Sequence, residues 1–347
     1  MVEREVIRRI IIEGQEFVNE ISLTERPFFF EQKGNYVFVG IRQAGKSYLL
    51  YQRIQQLLRE EHNINEIVYI NFDDERLRQM TADDLDLILQ AYHSLFDLRP
   101  LLFFDEIQNI EGWEHFARRL ANQKYNIYIT GSNAKMLSRE IATTLGGRFW
   151  NKDVYPYSFA EYLNARNIIL SKNWMYGKQA AEVSKAFNDY FLYGGFPELT
   201  DVIAKRVWLN DIYSKIFFSD LIVRNKVRNE EALGLLVRRL AENVKQPVSY
   251  TRLANLISSI GIKISKATVI EFIRYLKESC LIFPIENYAA KFAERNSNMK
   301  HYFIDNGLLS IFLLDGNTSL LENIVAIHLY KRYGAQLYFY NQNIEVD

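Results

Sequence analysis

Eight consecutive residues constrain this chain more than any others. Gly40-Ile41-Arg42-Gln43-Ala44-Gly45-Lys46-Ser47 matches the pattern G-x-x-x-x-G-K-[ST] in full. Four apolar residues, Tyr36-Val37-Phe38-Val39, precede it and read as a short buried strand; residues 46–61 follow with a helical pattern. Strand, glycine loop and helix in that order make a phosphate cradle. The glycines let the backbone turn tightly, successive N–H groups point at phosphate oxygens, and the helix N-terminus adds its positive end. In such a loop the lysine neutralises β- and γ-phosphate charge and the hydroxyl of the serine is a Mg²⁺ ligand. Gly40, Arg42, Gln43, Ala44, Gly45, Lys46, Ser47 and the adjoining Tyr48 are therefore the expected contacts of a nucleoside triphosphate, and Ser47 an expected metal ligand.

Further strands read along the chain at Ile67-Val68-Tyr69-Ile70, Leu101-Leu102-Phe103-Phe104 and Ile127-Tyr128-Ile129, with a fifth near residues 149–155. Helical patterns fill the gaps, as at 82–96 and 113–123. Short apolar strands alternating with helices predict a parallel sheet covered on both faces, an α/β core. With 347 residues, two or three domains are expected. After Tyr155 helices dominate, interrupted at Gly194-Gly195-Phe196-Pro197; three helical stretches lie between 231 and 281, and a β pair is expected at 283–286 and 301–304. An amphipathic helix over 319–333 and two short strands, at 336–340 and from 344, complete the reading.

Leu101-Leu102-Phe103-Phe104-Asp105-Glu106 places two acids at a strand end. There Asp105 would hold Mg²⁺ through a water, and Glu106 would polarise the attacking water as general base. Ile129-Thr130-Gly131-Ser132-Asn133 ends the next strand in small polar residues. Ser132 or Asn133 fits a sensor of the γ-phosphate, and a helix cap fits either residue too. Arg148, in Gly146-Gly147-Arg148, fits an arginine finger. An ordinary surface arginine fits equally. A finger supplied to a neighbour would require a homo-oligomer.

Rival nucleotide chemistries fare worse. A GTPase needs Asn-Lys-x-Asp, and Asn151-Lys152-Asp153 has the wrong spacing; a small-molecule kinase usually lacks a Glu directly after the strand-end Asp. The expectation is ATP with Mg²⁺, bound and hydrolysed. Lys plus Arg is 42 and Asp plus Glu is 42, so the basic excess of a dedicated nucleic-acid binder is missing, although a local basic face is compatible with that balance. No signal peptide follows Met1 and no apolar run approaches the length of about 18 residues that spans a bilayer, so a cytoplasmic protein with no membrane partner is expected. The single cysteine, Cys280, excludes an intrachain disulfide and reads as a small buried thiol.

Taken in order, several segments resemble a family of prokaryotic ATPases, an AAA-type module followed by a C-terminal domain of unknown function. They are the loop at 40–47 with Arg42 inside it, Asn71-Phe72-Asp73-Asp74, Phe104-Asp105-Glu106-Ile107-Gln108, Gly112-Trp113, Thr130-Gly131-Ser132-Asn133, Gly147-Arg148, Tyr155-Pro156-Tyr157-Ser158-Phe159 and Gly194-Gly195-Phe196-Pro197-Glu198. The resemblance implies a core sheet in the order 5-1-4-3-2 over residues 1–157 and a helical lid over 158–230. It further implies a winged helix over 231–305 and a partial restriction-endonuclease-like segment over 306–347. In the winged helix, Ser265 would cap a third helix on which Lys266, Arg274 and Lys277 face phosphates, while Glu271 and Glu278 on the same helix argue for a solvated mixed-charge surface. DNA contact and protein docking both remain open there.

In the terminal segment Glu322 matches the first nuclease acid, and Glu345-Val346-Asp347 the strand carrying the central Asp. The strand that would bear Glu-x-Lys is missing, so Glu322 and Glu345 are expected to be solvated charges. Three functions follow from these readings: an ATPase coupled to a macromolecular partner, a nucleotide-gated scaffold with little turnover, and a DNA-processing nuclease in a longer form.

Overall fold

The computed structural model describes residues 2–133, 136, 143–290, 298–314, 316–341 and the backbone of 345–346. The chain divides into two compact units. One comprises the residues up to Gly40 together with Gly45–Val154; the other comprises Ile41–Ala44 and everything from Tyr155 onward.

The first unit begins with helix α1 (Arg4–Glu20) and continues through β1 (Asn35–Val39), α2 (Lys46–Arg59), β2 (Ile67–Asn71), α3 (Asp86–His93), β3 (Leu101–Asp105), α4 (Trp113–Asn122), β4 (Ile127–Gly131) and β5 (Phe149–Asp153). All five strands are parallel in the order β2-β3-β4-β1-β5, which is the expected 5-1-4-3-2 arrangement read from its other edge. Aromatic and β-branched residues make these strands, and period-two alternation puts their rings on one face. Tyr36 stacks on Phe38 and Tyr128 at 5.6 and 5.8 Å, Phe103 stacks on Tyr128 at 4.7 Å, and Phe28 and Phe30 close over them edge-on. β1, β3 and β4 are buried almost throughout, whereas β5 is an edge strand with exposed positions. The parallel sheet brings the carboxyl ends of β1, β3 and β4 side by side, and that is where the expected site residues lie.

The second unit holds α5 (Phe159–Ala165), α6 (Lys178–Tyr193) and α7 (Lys205–Lys215), which runs on as a π-helical stretch, Ile216–Val223. Then follow α8 (Glu230–Glu242), β6 (Val248–Ser249), α9 (Tyr250–Ser259), α10 (Lys266–Glu278), β7 (Ile282–Asn287), β8 (Asn298–Phe303), α11 (Asn306–Ser310), α12 (Asn317–Tyr333), β9 (Tyr338–Asn341) and β10 (Glu345–Val346). The strands form one sheet, β10-β9-β7-β8-β6, in which β9 is parallel to β7 and the other pairings are antiparallel. Ser158 caps α5 with a capping box to Glu161, and Ser265 caps α10 through the Thr268 N–H, as its position in the sequence suggests.

Two expectations for this unit are corrected. Cys280 is only half-buried, because it sits with φ 57° in the turn between α10 and β7 rather than inside an element. Glu322 is not a solvated charge. It lies beneath β8, accepts the Tyr302 hydroxyl at 2.8 Å and stands 3.4 Å from the buried ammonium of Lys300. Lys300 is fully buried, so an ionised partner is what makes its charge tolerable there. Asp347 and the side chain of Glu345 lie outside the described residues.

Candidate nucleotide-binding site

β1 runs into Gly40 because that position admits no side chain: a Cβ there would lie 2.0 Å from the Val154 carbonyl oxygen. At the far end of the loop Gly45 adopts φ 90° and starts α2, whose first complete turn closes as the Leu49 N–H donates to the Gly45 carbonyl. Between them Gln43 takes φ 60°, and Ile41 and Ala44 are buried. Lys46 is 4% exposed; its ammonium donates to the Gly40 carbonyl at 3.1 Å and lies 3.9 Å from Glu106 Oε1. The cation thus already stands over the loop. Tyr48 points outward, half-exposed, with its ring edge-on to Tyr51.

Asp105 ends β3 fully buried, and burial pushes its carboxyl above the usual range, opposed by hydrogen bonds. Those come from the Thr130 hydroxyl, the Ser47 hydroxyl and the Tyr69 phenol, the last at 2.8 Å. Tyr69 is in turn joined to Tyr51 at 2.9 Å, and burial holds both phenols well above their ordinary range, so both stay protonated. The Ser47 hydroxyl beside the Asp105 carboxylate puts two hard oxygen donors at one point, a donor pair that would fit Mg²⁺. Among the described residues no group of three or more His, Cys, Asp or Glu side chains could hold an ion.

Glu106 follows with φ 51°, a left-handed conformation unusual for a glutamate. Its N–H donates to Thr130 Oγ1 at 3.0 Å, so one threonine fixes both acids. Its carboxylate Oε2 accepts from Ser132 Oγ at 3.0 Å and from Gln108 Nε2 at 2.5 Å. Of the two sensor alternatives, Ser132 donates to the Glu106 carboxylate. Asn133, half-buried, offers its carbonyl to the Met136 N–H.

Arg148 lies elsewhere. It directly precedes β5, whose first residue pairs with Asn35 at the start of β1, and its carbonyl accepts from Asn35. A strand length of about 16 Å therefore separates it from the carboxyl end of β1, where the loop begins. Its guanidinium donates to Gly146 and lines a cavity of about 710 Å³ with Lys33, Arg53, Lys124 and Asn126. The structure does not bring Arg148 to its own chain's phosphate loop, because a residue before a parallel strand starts at the wrong end of the sheet.

Sequence reasoning missed Thr130, Tyr69 and Gln108 as site residues. Only Gln108 carried a signal, since it stands two residues beyond the acidic pair.

The comparisons agree with this geometry. A family model described as an AAA domain matches residues 32–163. A protein of Methanocaldococcus jannaschii, MJ1544, is 31% identical over 100% of this chain and 79% of its own length. The chain belongs to the AAA-type P-loop ATPase family. A second family model, a domain of unknown function, matches residues 184–319 of this AAA-type chain. A Haemophilus influenzae relative is 31% identical, with 85% of this chain and 74% of its own covered. Among solved structures, the Walker-type ATPase PABY2304 of Pyrococcus abyssi has the same fold, with a TM-score of 0.50, 14% identity, and 90% of this chain and 96% of its own covered. Among the described residues of this family member no helix is long and apolar enough to cross a membrane.

Proposed function

We propose that this chain binds ATP with Mg²⁺ and hydrolyses it, and that turnover is coupled to a macromolecular partner. The observation that carries the reading is the convergence of Lys46, the Ser47–Asp105 pair and the Glu106 carboxylate at the carboxyl ends of β1 and β3. Bound there, Mg²⁺ would supply charge neutralisation between the β- and γ-phosphates. Lys46 leaves the Gly40 carbonyl to neutralise phosphate oxygens. Ser47 and Asp105 hold the metal, directly or through water. Glu106 accepts a proton from the attacking water, and Ser132 sits beside it as the polar sensor. The loop positions 40 and 42–45 with Tyr48 complete the nucleotide contacts.

The partner surface we assign to residues 231–305. The order α8-β6-α9-α10-β7-β8, with β6 and β7 flanking β8, supports a winged helix. On α10 Arg274 lies between Glu271 and Glu278, at 3.8 and 4.0 Å, a mixed-charge face that fits a protein partner better than a run of phosphates. A cytoplasmic setting, where ATP is available, belongs to the same proposal. So does a homo-oligomer in which Arg148 serves a neighbour's site, since it stands away from its own.

The test is steady-state phosphate release by the whole chain with Mg·ATP, beside the Glu106→Gln variant. The reading requires wild-type turnover and retained ATP binding with turnover lowered about 10²–10⁴-fold in the variant. Equal rates would remove Glu106 from the role.

A further inference from the structure

We propose that Gln108 is a positioning residue for Glu106, and that hydrolysis depends on its side-chain amide holding that carboxylate. The inference rests on the ATPase reading above.

Gln108 lies in the short 3₁₀ turn Ile107–Asn109 that follows Glu106. The left-handed Glu106 backbone reverses the chain at once, so residue 108 comes back over residue 106. Its Nε2 donates to Glu106 Oε2, where Ser132 Oγ also donates, and stands 3.4 Å from that Oγ. One carboxylate oxygen is thus occupied by two donors from two different strand ends. Oε1 faces Lys46 at 3.9 Å, on the side that a γ-phosphate and its attacking water would share.

The other half of the amide is what points beyond packing. Gln108 Oε1 is buried and, among the described residues, has no hydrogen-bond partner. It is wedged against Gly131, where a Cβ would come within 2.5 Å of it. A buried, unsatisfied carbonyl oxygen costs about 1–3 kcal/mol. A leucine would fill the same space with no such cost. An amide kept where its acceptor goes unpaired is kept for its donor, and that donor is aimed at the general base.

The experiment compares wild type, Gln108→Leu and Gln108→Ala by steady-state phosphate release, fluorescent mant-ATP binding and thermal unfolding. Gln108→Leu should fold with an unchanged or higher Tm. Its kcat should fall by about tenfold or more, while KM for ATP and mant-ATP affinity stay within about twofold. Gln108→Ala should repeat the kcat loss. A purely structural glutamine would instead lower Tm or weaken binding with kcat intact, and that result overturns the proposal. A faster Gln108→Leu enzyme overturns it too, because it would make the amide a restraint. Wild-type turnover with an undiminished Gln108→Leu rate defeats this inference alone. A wild-type chain that binds mant-ATP and releases no phosphate defeats the ATPase reading, and this inference with it.

Discussion

Lys46 is nearly buried; its ammonium donates to the Gly40 carbonyl and lies 3.9 Å from the Glu106 carboxylate. A triphosphate offers it stronger partners than either. Replacing it by alanine should therefore weaken mant-ATP binding by about 100-fold or more, roughly 2.7 kcal/mol, with Tm in the absence of nucleotide little changed. Calorimetric titration reads the first and a melting curve the second. Lys46 and Glu106, with Asp105 and Ser47, were legible in the sequence because their spacing follows a phosphate-loop pattern. What the sequence did not disclose is how they are held. Thr130 and Tyr69 satisfy Asp105 from β4 and β2, and nothing in a threonine or a tyrosine on a strand announces a buried carboxylate next to it. Arg148 shows what spacing alone leaves open: its sequence fits a finger or a surface residue alike, and strand direction puts it at the end of the sheet away from its own loop.

At the scale of elements, the break at Gly194-Gly195-Phe196-Pro197 was legible but its cause was not. Gly194 has φ 78°, and a Cβ there would lie 1.8 Å from Asp305 Oδ1. Asp305 receives the Gly195 N–H at 2.8 Å and caps α11 through the Gly307 N–H at 2.8 Å, so one buried acid joins segments 110 residues apart. Gly194→Ala should cost about 2 kcal/mol or more of stability, measured by denaturant unfolding of the second unit's signal.

Burial pushes the Asp305 carboxyl up to about 6, despite the N–H donors that oppose it. Its ordinary value is 3.8, so the fold favours the protonated form. The stabilising contribution is complete below about pH 3.8 and is lost as pH rises through about 6. Between those values the Tm of wild type should fall relative to that of Asp305→Asn, which has no proton to lose there. A Tm difference that stays flat across the window would contradict this. The five core strands were readable because each is a short apolar run bounded by turn residues. The Lys300–Glu322 pair was not, since charged residues on a strand and a helix read as surface until the packing is known.

At the scale of the whole chain, the contacts draw a boundary after Val154, yet Ile41–Ala44 group with the second unit. Within that unit Arg42 makes a two-pronged bond to Asp220, at 3.0 and 3.1 Å, and Arg224 joins the same carboxylate at 3.0 Å. Asp220 is 3% exposed and sits in the π-helical stretch, a geometry often found at functional sites. Asp220→Ala leaves two guanidiniums without their shared acid and should weaken mant-ATP binding. The Arg42→Ala, Asp220→Ala double variant should lose less than the sum of the single losses. Native mass measurement with and without ATP tests the assembly that a trans role for Arg148 demands; a monomer under both conditions removes that role.

The Arg42–Asp220 bond also bears on inheritance. A loop residue and an acid 178 positions further on serve each other inside the second unit, so that unit is built from two separate stretches of sequence. A chimera joined after residue 154 parts Arg42 from Asp220 and keeps the bond only where the incoming chain supplies an acid opposite Arg42. A graft of the second unit therefore has to carry Ile41–Ala44 along with the residues from Tyr155 onward.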